Sequence, residues 1–160
     1  MPTLKQDPML GLKLLQKALS GGEVRMDRCE LHPDLQIHED RPIGLRRITY
    51  AVVNHGRVRA TVVFSPDGTE EGIPVFGIGY AVAEKFRGQG LASTTVRKAI
   101  EELRHLLGRE FTGPFYVEAM VATSNDASNR LARRIISDSP VAVTDEVSGE
   151  PSFKYRQLVE

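Results

Sequence analysis

The chain has one cysteine, Cys29, and no tryptophan among its 160 residues. A single cysteine excludes an internal disulfide framework, and chains with so little cysteine are typical of reducing compartments. We therefore expect a cytoplasmic protein whose stability comes from a buried apolar core. The chain is long enough to form that core as one domain.

Net charge is absent as well, because 21 lysines and arginines balance 21 aspartates and glutamates. A neutral chain lacks the basic excess of a dedicated nucleic-acid binder, so we predict no nucleic-acid partner. No apolar run reaches the roughly 20 residues that a membrane-spanning helix needs. The leucine-rich N-terminal segment contains Lys13 and Lys17 and does not resemble a signal peptide. We therefore predict no membrane partner.

The histidines of the chain do not form a metal-binding pattern. Cys29 and His32 make one loose local cluster, and His38 to Asp40 make another. Neither cluster has the second pair of ligands that a structural zinc site requires. We therefore predict that the protein binds no metal.

Apolar periodicity predicts alternating helices and strands along the chain. Asp7-Pro8 is typical of a helix start and Gly21-Gly22 of its end, whereas residues 23–44 are polar and ambiguous. We predict residues 65–72 as a turn-rich loop. The predicted elements are helices 8–20, 91–107 and 127–136, and strands 48–53, 57–64, 75–82, 115–122, 141–147 and 152–159. Their order indicates a mixed α/β domain with helices on both faces of one mostly antiparallel sheet.

The segment from Val82 to Ser93 joins a predicted strand to a predicted helix through the turn Arg87-Gly88-Gln89-Gly90. The first N–H groups of a helix have no partner within the helix, and the helix dipole adds positive potential there. Glycine lets a ligand approach the backbone closely. The segment is therefore a candidate anion-binding site.

This segment resembles the signature of the GNAT N-acetyltransferase superfamily, in which an arginine or glutamine precedes a Gly-x-Gly/Ala turn after a hydrophobic strand. Arg87, Gly90 and Ala92 stand at those positions, and Val82 stands at the end of the strand. Further along the chain, Val121, Asn125 and Ser128 match the family's next strand end and helix start. The resemblance covers about residues 45–136.

The resemblance implies the GNAT fold, a central mostly antiparallel sheet flanked by helices, whose splayed central strands hold acyl-CoA. Acetyl-CoA is the implied cofactor, acting as a co-substrate. Its pyrophosphate would lie on the backbone N–H groups of the turn, and its pantetheine arm along the preceding strand. The positions implied to bind it are Tyr80, Ala81, Val82, Arg87, Gly88, Gln89, Gly90, Leu91, Ala92, Ser93, Asn125 and Ser128.

The catalytic groups follow less directly from the resemblance. The backbone N–H near Val82 is the implied donor to the thioester carbonyl. Many members place a tyrosine seven residues after the asparagine to protonate the leaving thiolate, and this chain has Ala132 there. Tyr116 and Tyr155 are candidate replacements.

For a general base, Glu118 is the main candidate and Glu84 the second. Glu118 lies in the middle of a predicted strand, where partial burial would raise its pKa as a base requires. The alternative is a solvated or salt-bridged glutamate with no catalytic role. Some members of the family use water relays and have no dedicated base.

The resemblance implies an N-acetyltransferase that transfers an acetyl group from acetyl-CoA to a primary amine by direct attack in a ternary complex. The acceptor would be a protein N-terminus or a small amine. Residues 78–82 and the following turn are similar to the branch that acetylates protein N-termini, including those of ribosomal proteins. The alternative function is a catalytically silent acyl-CoA-binding module that regulates a partner, because Ala132 and the segment 135–140 depart from the pattern.

We expect a single domain over residues 1–160 with three parts. Residues 1–44 would form a variable substrate-side region, residues 45–136 the cofactor-binding core and residues 137–160 a C-terminal hairpin. Family members often dimerise through their late strands, and the apolar hairpin is compatible with a homodimer.

Overall fold

The computed structural model of the chain describes residues 7–160. Its helices are α1 (Pro8–Ser20), α2 (Leu91–Leu107) and α3 (Asp126–Ile135). Its strands are β1 (Asp27–Arg28), β2 (Gln36–Asp40), β3 (Arg47–Asn54), β4 (Arg57–Glu70), β5 (Ile73–Val82), β6 (Phe115–Ala122), β7 (Val141–Thr144) and β8 (Pro151–Val159).

The strands are hydrogen-bonded in the order β1-β2-β3-β4-β5-β6-β8-β7. The β5–β6 pair is parallel, whereas β1–β2, β2–β3, β3–β4, β6–β8 and β7–β8 are antiparallel. Helices connect and flank these strands. The mixed α/β class with a mostly antiparallel sheet is therefore confirmed.

Contacts divide the chain into two compact units. The first comprises the chain up to Ser65 together with Gly79–Thr112, and the second comprises Pro66–Ile78 and Gly113–Glu160. The first holds α1, β1 to β3, most of β4, the end of β5 and α2. The second holds the end of β4, the start of β5, then β6, α3, β7 and β8. A single domain over residues 1–160 stays a prediction.

Helix α1 packs against the strands of the first unit, to which it belongs, through its apolar residues. The Asp7 side chain accepts a hydrogen bond from the Met9 N–H at 3.1 Å, and Pro8 takes the first helical position, where its missing N–H costs nothing. Leu12 is buried with Ala51 and Val58. The predicted helix start and its end before Gly21 are confirmed.

One face of β5 carries small residues, Gly79 and Ala81, and helix α1 packs closely against them. A Cβ added at Gly79 would lie 3.3 Å from Cγ of Pro8, and Ala81 packs against the cluster around Leu12. A side chain at Gly79 would therefore crowd Pro8, because a helix approaches the strand closely. In this structure the small face of the strand contacts α1.

The loop of residues 29–35 lies along α2 through a row of polar contacts, and we call it the strap. Lys98 bonds Asp34 at 2.5 Å, and Glu102 accepts the His32 N–H at 2.6 Å. Helical periodicity would put Glu102 on the polar face of α2, but its side chain is buried at 4% exposure beneath the strap. Burial, aided by Glu102 and Asp34, raises the pKa of Cys29 to about 12.

Strand β4 is longer than the sequence pattern predicts. The prediction of a loop at residues 65–72 is wrong, because β4 continues through Pro66 to Glu70. The chain reverses instead at Glu71-Gly72, where φ is +51° and +82°. Pairing with the neighbouring strand β5 overrides the local turn tendency of Pro66-Asp67-Gly68.

In the second unit, α3 is tied to the sheet by a buried hydrogen-bond network. The Tyr155 hydroxyl donates to Asn129 Oδ1 at 2.5 Å. The Asn129 amide nitrogen donates to the carbonyls of Ala122 and Asn125 at 3.0 and 2.9 Å. Each polar group of the Asn129 side chain therefore has a partner, as burial requires.

Within residues 7–160 no helix has the length and apolar character needed to cross a membrane. The same residues contain no group of three or more histidine, cysteine, aspartate or glutamate side chains placed to hold a metal ion.

Candidate active site

The turn between β5 and α2 has a conformation that only glycine adopts without strain. After a short 3-10 turn at Glu84–Phe86, Arg87 is extended, and Gly88 and Gly90 have φ of +76° and +73°. Gly90 is the N-cap of α2. A side chain in this left-handed region costs about 1–2 kcal/mol. The two glycines therefore fix the direction from which α2 begins.

The beginning of α2 presents backbone donors to solvent. The first backbone bond within the helix joins the Thr94 N–H to the Gly90 carbonyl at 3.3 Å. The N–H groups of Leu91, Ala92 and Ser93 precede it and have no acceptor within the helix. The first turn contains no acidic side chain, and these three residues are half-buried while Gly88 to Gly90 are exposed. The local potential therefore favours an anion.

The loop leading into the turn is held by contacts within the first unit. Arg87 Nε donates to the Val82 carbonyl at 3.2 Å, which closes the loop on the end of β5. The Ala83 N–H donates to the Arg59 carbonyl at 2.8 Å. The Arg59 guanidinium lies 4.6 Å from the centre of the Phe86 ring. These contacts preorganise the turn before any ligand arrives.

The parallel ladder between β5 and β6 is short. It pairs Val75–Gly77 with Tyr116–Glu118, and β5 then continues to Val82. Residues 78–82, which include Tyr80, Ala81 and Val82, therefore extend beyond this ladder and are half-buried. This is the segment to which the resemblance assigns the pantetheine arm.

Asn125 serves as the N-cap of α3. Its Oδ1 accepts the Ser128 N–H at 3.1 Å, so both residues have a structural role at the helix start. Asn125 is exposed and Ser128 half-buried. Their assignment to CoA binding stays a prediction.

Glu118 lies in a charged cluster built on β6, β8 and β4. Its side chain is 8% exposed, and its Oε2 accepts hydrogen bonds from Nε and Nη2 of Arg156 at 2.8 and 2.5 Å. Lys154 Nζ lies 3.9 Å from Oε1. Glu118 is thus salt-bridged, and its role as a general base stays a prediction. Both guanidinium donors bond Oε2, and the charged neighbour of Oε1 is the more distant Lys154.

Arg156 joins the members of this cluster. Nη1 lies 3.4 Å from Oε2 of Glu70, and the guanidinium carbon lies 5.3 Å from the centre of the Tyr116 ring. The hydrogen bond to Glu118 raises the pKa of Arg156, so the guanidinium stays charged. Glu118 and Arg156 are directly opposite each other in the antiparallel β6–β8 register. Arg156 and Glu70 were missed in the sequence because no local signal sets that register.

The tyrosine candidates differ in what their surroundings allow. Ala132 is fully buried, so the position where many family members have the acid belongs here to the core. Tyr155 is also fully buried, and its hydroxyl is committed to Asn129. Tyr116 is half-buried beside Arg156. Of the two tyrosines, Tyr116 is the one that remains a candidate acid, while Glu84 is exposed next to the turn.

The chain belongs to the acetyltransferase (GNAT) family, whose model matches residues 13–135. This match covers the turn, β6 and α3, in the order that the resemblance requires. No curated protein matches the chain.

Solved structures of acetyltransferases share the fold. A GNAT-family acetyltransferase from Streptococcus pneumoniae is 15% identical, with a TM-score of 0.53 over 71% of this chain and 67% of that one. A Salmonella typhimurium acetyltransferase that modifies the N-terminal serine of ribosomal protein L7/L12 is 18% identical, with a TM-score of 0.51 over 71% of this chain and 64% of that one. The NatC complex bound to Gag peptide and CoA is 18% identical, with a TM-score of 0.53 over 70% of this chain and 71% of that one.

Proposed function

We propose that the protein is an N-acetyltransferase that transfers an acetyl group from acetyl-CoA to a primary amine by direct attack in a ternary complex. The observation that carries this proposal is the open N-terminus of α2 behind two left-handed glycines, Gly88 and Gly90, inside the segment that matches the family. The amine belongs to a protein N-terminus or to a small molecule.

The residues of the turn fit a pyrophosphate. The N–H groups of Leu91, Ala92 and Ser93 point out of the first turn of a helix 17 residues long, which adds its dipole. A Cβ added at Gly88 or Gly90 would meet no atom within 4 Å, so the space above the turn is open. The backbone of Arg87 and Gln89 completes the cradle. Asn125 and Ser128 are proposed to contact the same ligand.

Acetyl-CoA supplies the activated acyl group as a thioester. The chain's own residues then have three tasks: to deprotonate the acceptor ammonium, to stabilise the charge on the carbonyl oxygen and to give a proton to the leaving sulfur. We assign the first task to Oε1 of Glu118, the second to the Val82 N–H and the third to Tyr116. The backbone of Tyr80 and Ala81 is assigned to the pantetheine arm.

The kinds of acceptor known for similar structures support a peptide N-terminus. The Salmonella typhimurium protein modifies an N-terminal serine, and the NatC complex holds a peptide.

A silent acyl-CoA-binding module is the second candidate, favoured by two observations. Ala132 is buried where many members place the acid, and Glu118 is engaged by Arg156. Such a module keeps the cradle of α2 and has no turnover.

Calorimetric titration with acetyl-CoA, followed by an assay of CoA thiol release over a panel of peptides and amines, distinguishes these functions. The enzyme binds acetyl-CoA and releases CoA in proportion to an added acceptor. The silent module binds with release no faster than hydrolysis. Absence of acetyl-CoA binding rejects both.

We also propose a cytoplasmic location and a homodimer. The strand β7 lies at the end of the strand order, and its Val141 side chain is 61% exposed. Sedimentation velocity would detect a dimer, and a monomer at all concentrations would reject it.

A further inference from the structure

The two ends of the Arg156 guanidinium are bound very differently. Nε and Nη2 donate to the buried Glu118, whereas Nη1 faces Glu70 at 3.4 Å. The Glu70 side chain is 52% exposed. An exposed ion pair of this length contributes about 0–1 kcal/mol, so a carboxylate from solution can replace Glu70 at little cost. A guanidinium is well suited to that exchange because its planar donors match a carboxylate.

The charges around Glu118 also select the acceptor. Arg156 Nη2 lies 2.5 Å from Oε2, and Lys154 Nζ lies 3.9 Å from Oε1. The cluster already matches two cations with the two carboxylates of Glu118 and Glu70, so a simple alkylammonium would leave a net positive charge, which Coulomb energy disfavours. An acceptor that carries its own carboxylate adds no net charge and provides an anion for Nη1.

We infer that Arg156 selects acceptors whose primary amine lies within a few atoms of a carboxylate, such as a free amino acid or a peptide with an acidic residue near its N-terminus. The acceptor carboxylate replaces Glu70 at Nη1. One ammonium proton moves to Oε1 of Glu118, and the freed lone pair of the nitrogen forms the N–C bond at the thioester carbon. The C–S bond breaks, CoA leaves as the thiol with the proton given by Tyr116, and the second proton lost by the nitrogen restores the Tyr116 hydroxyl. This inference rests on the proposed acetyl transfer and adds the substrate class.

The bound carboxylate takes over the contact that Glu70 makes with Nη1, so the charge beside Glu118 stays balanced when the acceptor binds. Arg156 would thus position the acceptor amine next to the base. An amide acceptor of the same shape provides no anion for Nη1.

Matched acceptors test the inference by CoA thiol release. One pair is alanine and alaninamide, and the other is Ser-Asp-amide and Ser-Asn-amide, which separates a free amino acid from an acidic peptide. For at least one pair we expect kcat/KM to be about 10- to 100-fold higher for the carboxylate, as a charge-assisted hydrogen bond allows. Arg156→Gln should bring that ratio close to one, and Arg156→Lys should keep part of it. Glu70→Gln, which removes the competing carboxylate, should keep the ratio or raise it.

The ratio of kcat/KM between the carboxylate and the amide acceptor distinguishes lost recognition from a damaged fold, because a misfolded variant loses activity on both members of a pair. A second readout needs no turnover: the Nε–Hε NMR signal of Arg156 should shift on titration with the carboxylate acceptor and stay in place with the amide. Ratios near one in the wild type for both pairs, with CoA released from all acceptors, would overturn the inference and leave the acetyltransferase intact. No CoA release with any acceptor would overturn both.

Discussion

The turn that begins α2 and the charged cluster around Glu118 are proposed to bind their ligands by opposite means. The turn offers backbone N–H groups whose direction is fixed by Gly88 and Gly90. The cluster offers side chains from β4, β6 and β8, each held by its neighbours through charge. A backbone cradle recognises a feature common to every acyl-CoA, whereas a side-chain cluster can be tuned to one acceptor. The two regions would thus determine the donor and the acceptor separately.

Substitution of Glu118 by glutamine should give the largest effect, confined to the cluster. We expect kcat to fall by about 100- to 10,000-fold, because the amide cannot take the ammonium proton. The affinity for acetyl-CoA should be unchanged, since the turn uses no side chain of β6. Steady-state rates and calorimetry check the two halves of this statement. An unchanged kcat would remove Glu118 from the mechanism, and a loss of acetyl-CoA affinity would show that the two regions are not separable.

Substitution of Gly90 by glutamate should have the reverse pattern. The turn holds this residue at a positive φ, which is strained for glutamate, and the new carboxylate repels an anion at the cradle. We therefore expect acetyl-CoA to bind at least about tenfold more weakly. Gly56→Glu is the matched control, because Gly56 has φ of +72° and an equally open surrounding. Both variants should lose similar stability in urea, but the control should bind acetyl-CoA normally. Equal affinities for the two variants would contradict a cradle at Gly90.

Two buried tyrosines, one in each unit, allow the contribution of a buried hydroxyl to stability to be compared. Tyr155→Phe leaves Asn129 Oδ1 buried without its donor, so we expect a loss of about 1–3 kcal/mol in the free energy of unfolding. Tyr50, in the first unit, has a buried hydroxyl with no hydrogen-bond partner among residues 7–160. Tyr50→Phe should therefore be neutral or stabilising. Urea denaturation measures both, and equal losses would contradict the hydrogen-bond assignments.

The smallest of the expected effects is a loss of stability at low pH, through the carboxylates of the strap. Hydrogen bonds from His105 and Arg109 lower the pKa of Glu30, and a hydrogen bond from Lys98 lowers that of Asp34. A carboxyl with a lowered folded-state pKa stabilises the fold above its ordinary value, here 4.5 and 3.8, and loses that contribution as pH falls further.

Lys98→Ala isolates the contribution of Asp34 to this pH-dependent stability. Because the Asp34 side chain is 56% exposed, we expect a loss of less than about 1 kcal/mol at pH 7 and a smaller loss at pH 2, where the carboxyl takes up a proton. The unfolding midpoint in urea at both pH values checks the sign. A loss of equal size at both would mean that Lys98 acts through packing. Acetyl-CoA affinity at pH 7 should not change.

Much of the fold follows from local pattern. Helix α2 begins and ends where the periodicity and Gly108 predict, and β6 matches its predicted limits. Strand β2 was missed because its sequence, Gln36–Asp40, is mostly polar and forms by pairing with β3. Tertiary pairing decides such strands, and a single sequence does not encode it locally.

The candidate site divides in the same way. The cradle could be predicted because glycine, helix start and strand end are adjacent in the chain. The environment of Glu118 could not, because Arg156 is 38 residues away and meets it only through the β6–β8 register. The burial of Glu102 was missed for a similar reason, since the strap that covers it is distant in sequence.

Backbone amide signals give the most direct test of a pyrophosphate site at α2. In ¹⁵N-labelled protein titrated with acetyl-CoA, we expect the largest shifts at Gly88 to Ser93, with the signals of the Gly56 turn unmoved. The same titration in Gly90→Glu should need a higher ligand concentration. Saturable binding that shifts other amides and leaves Leu91, Ala92 and Ser93 in place would contradict the cradle.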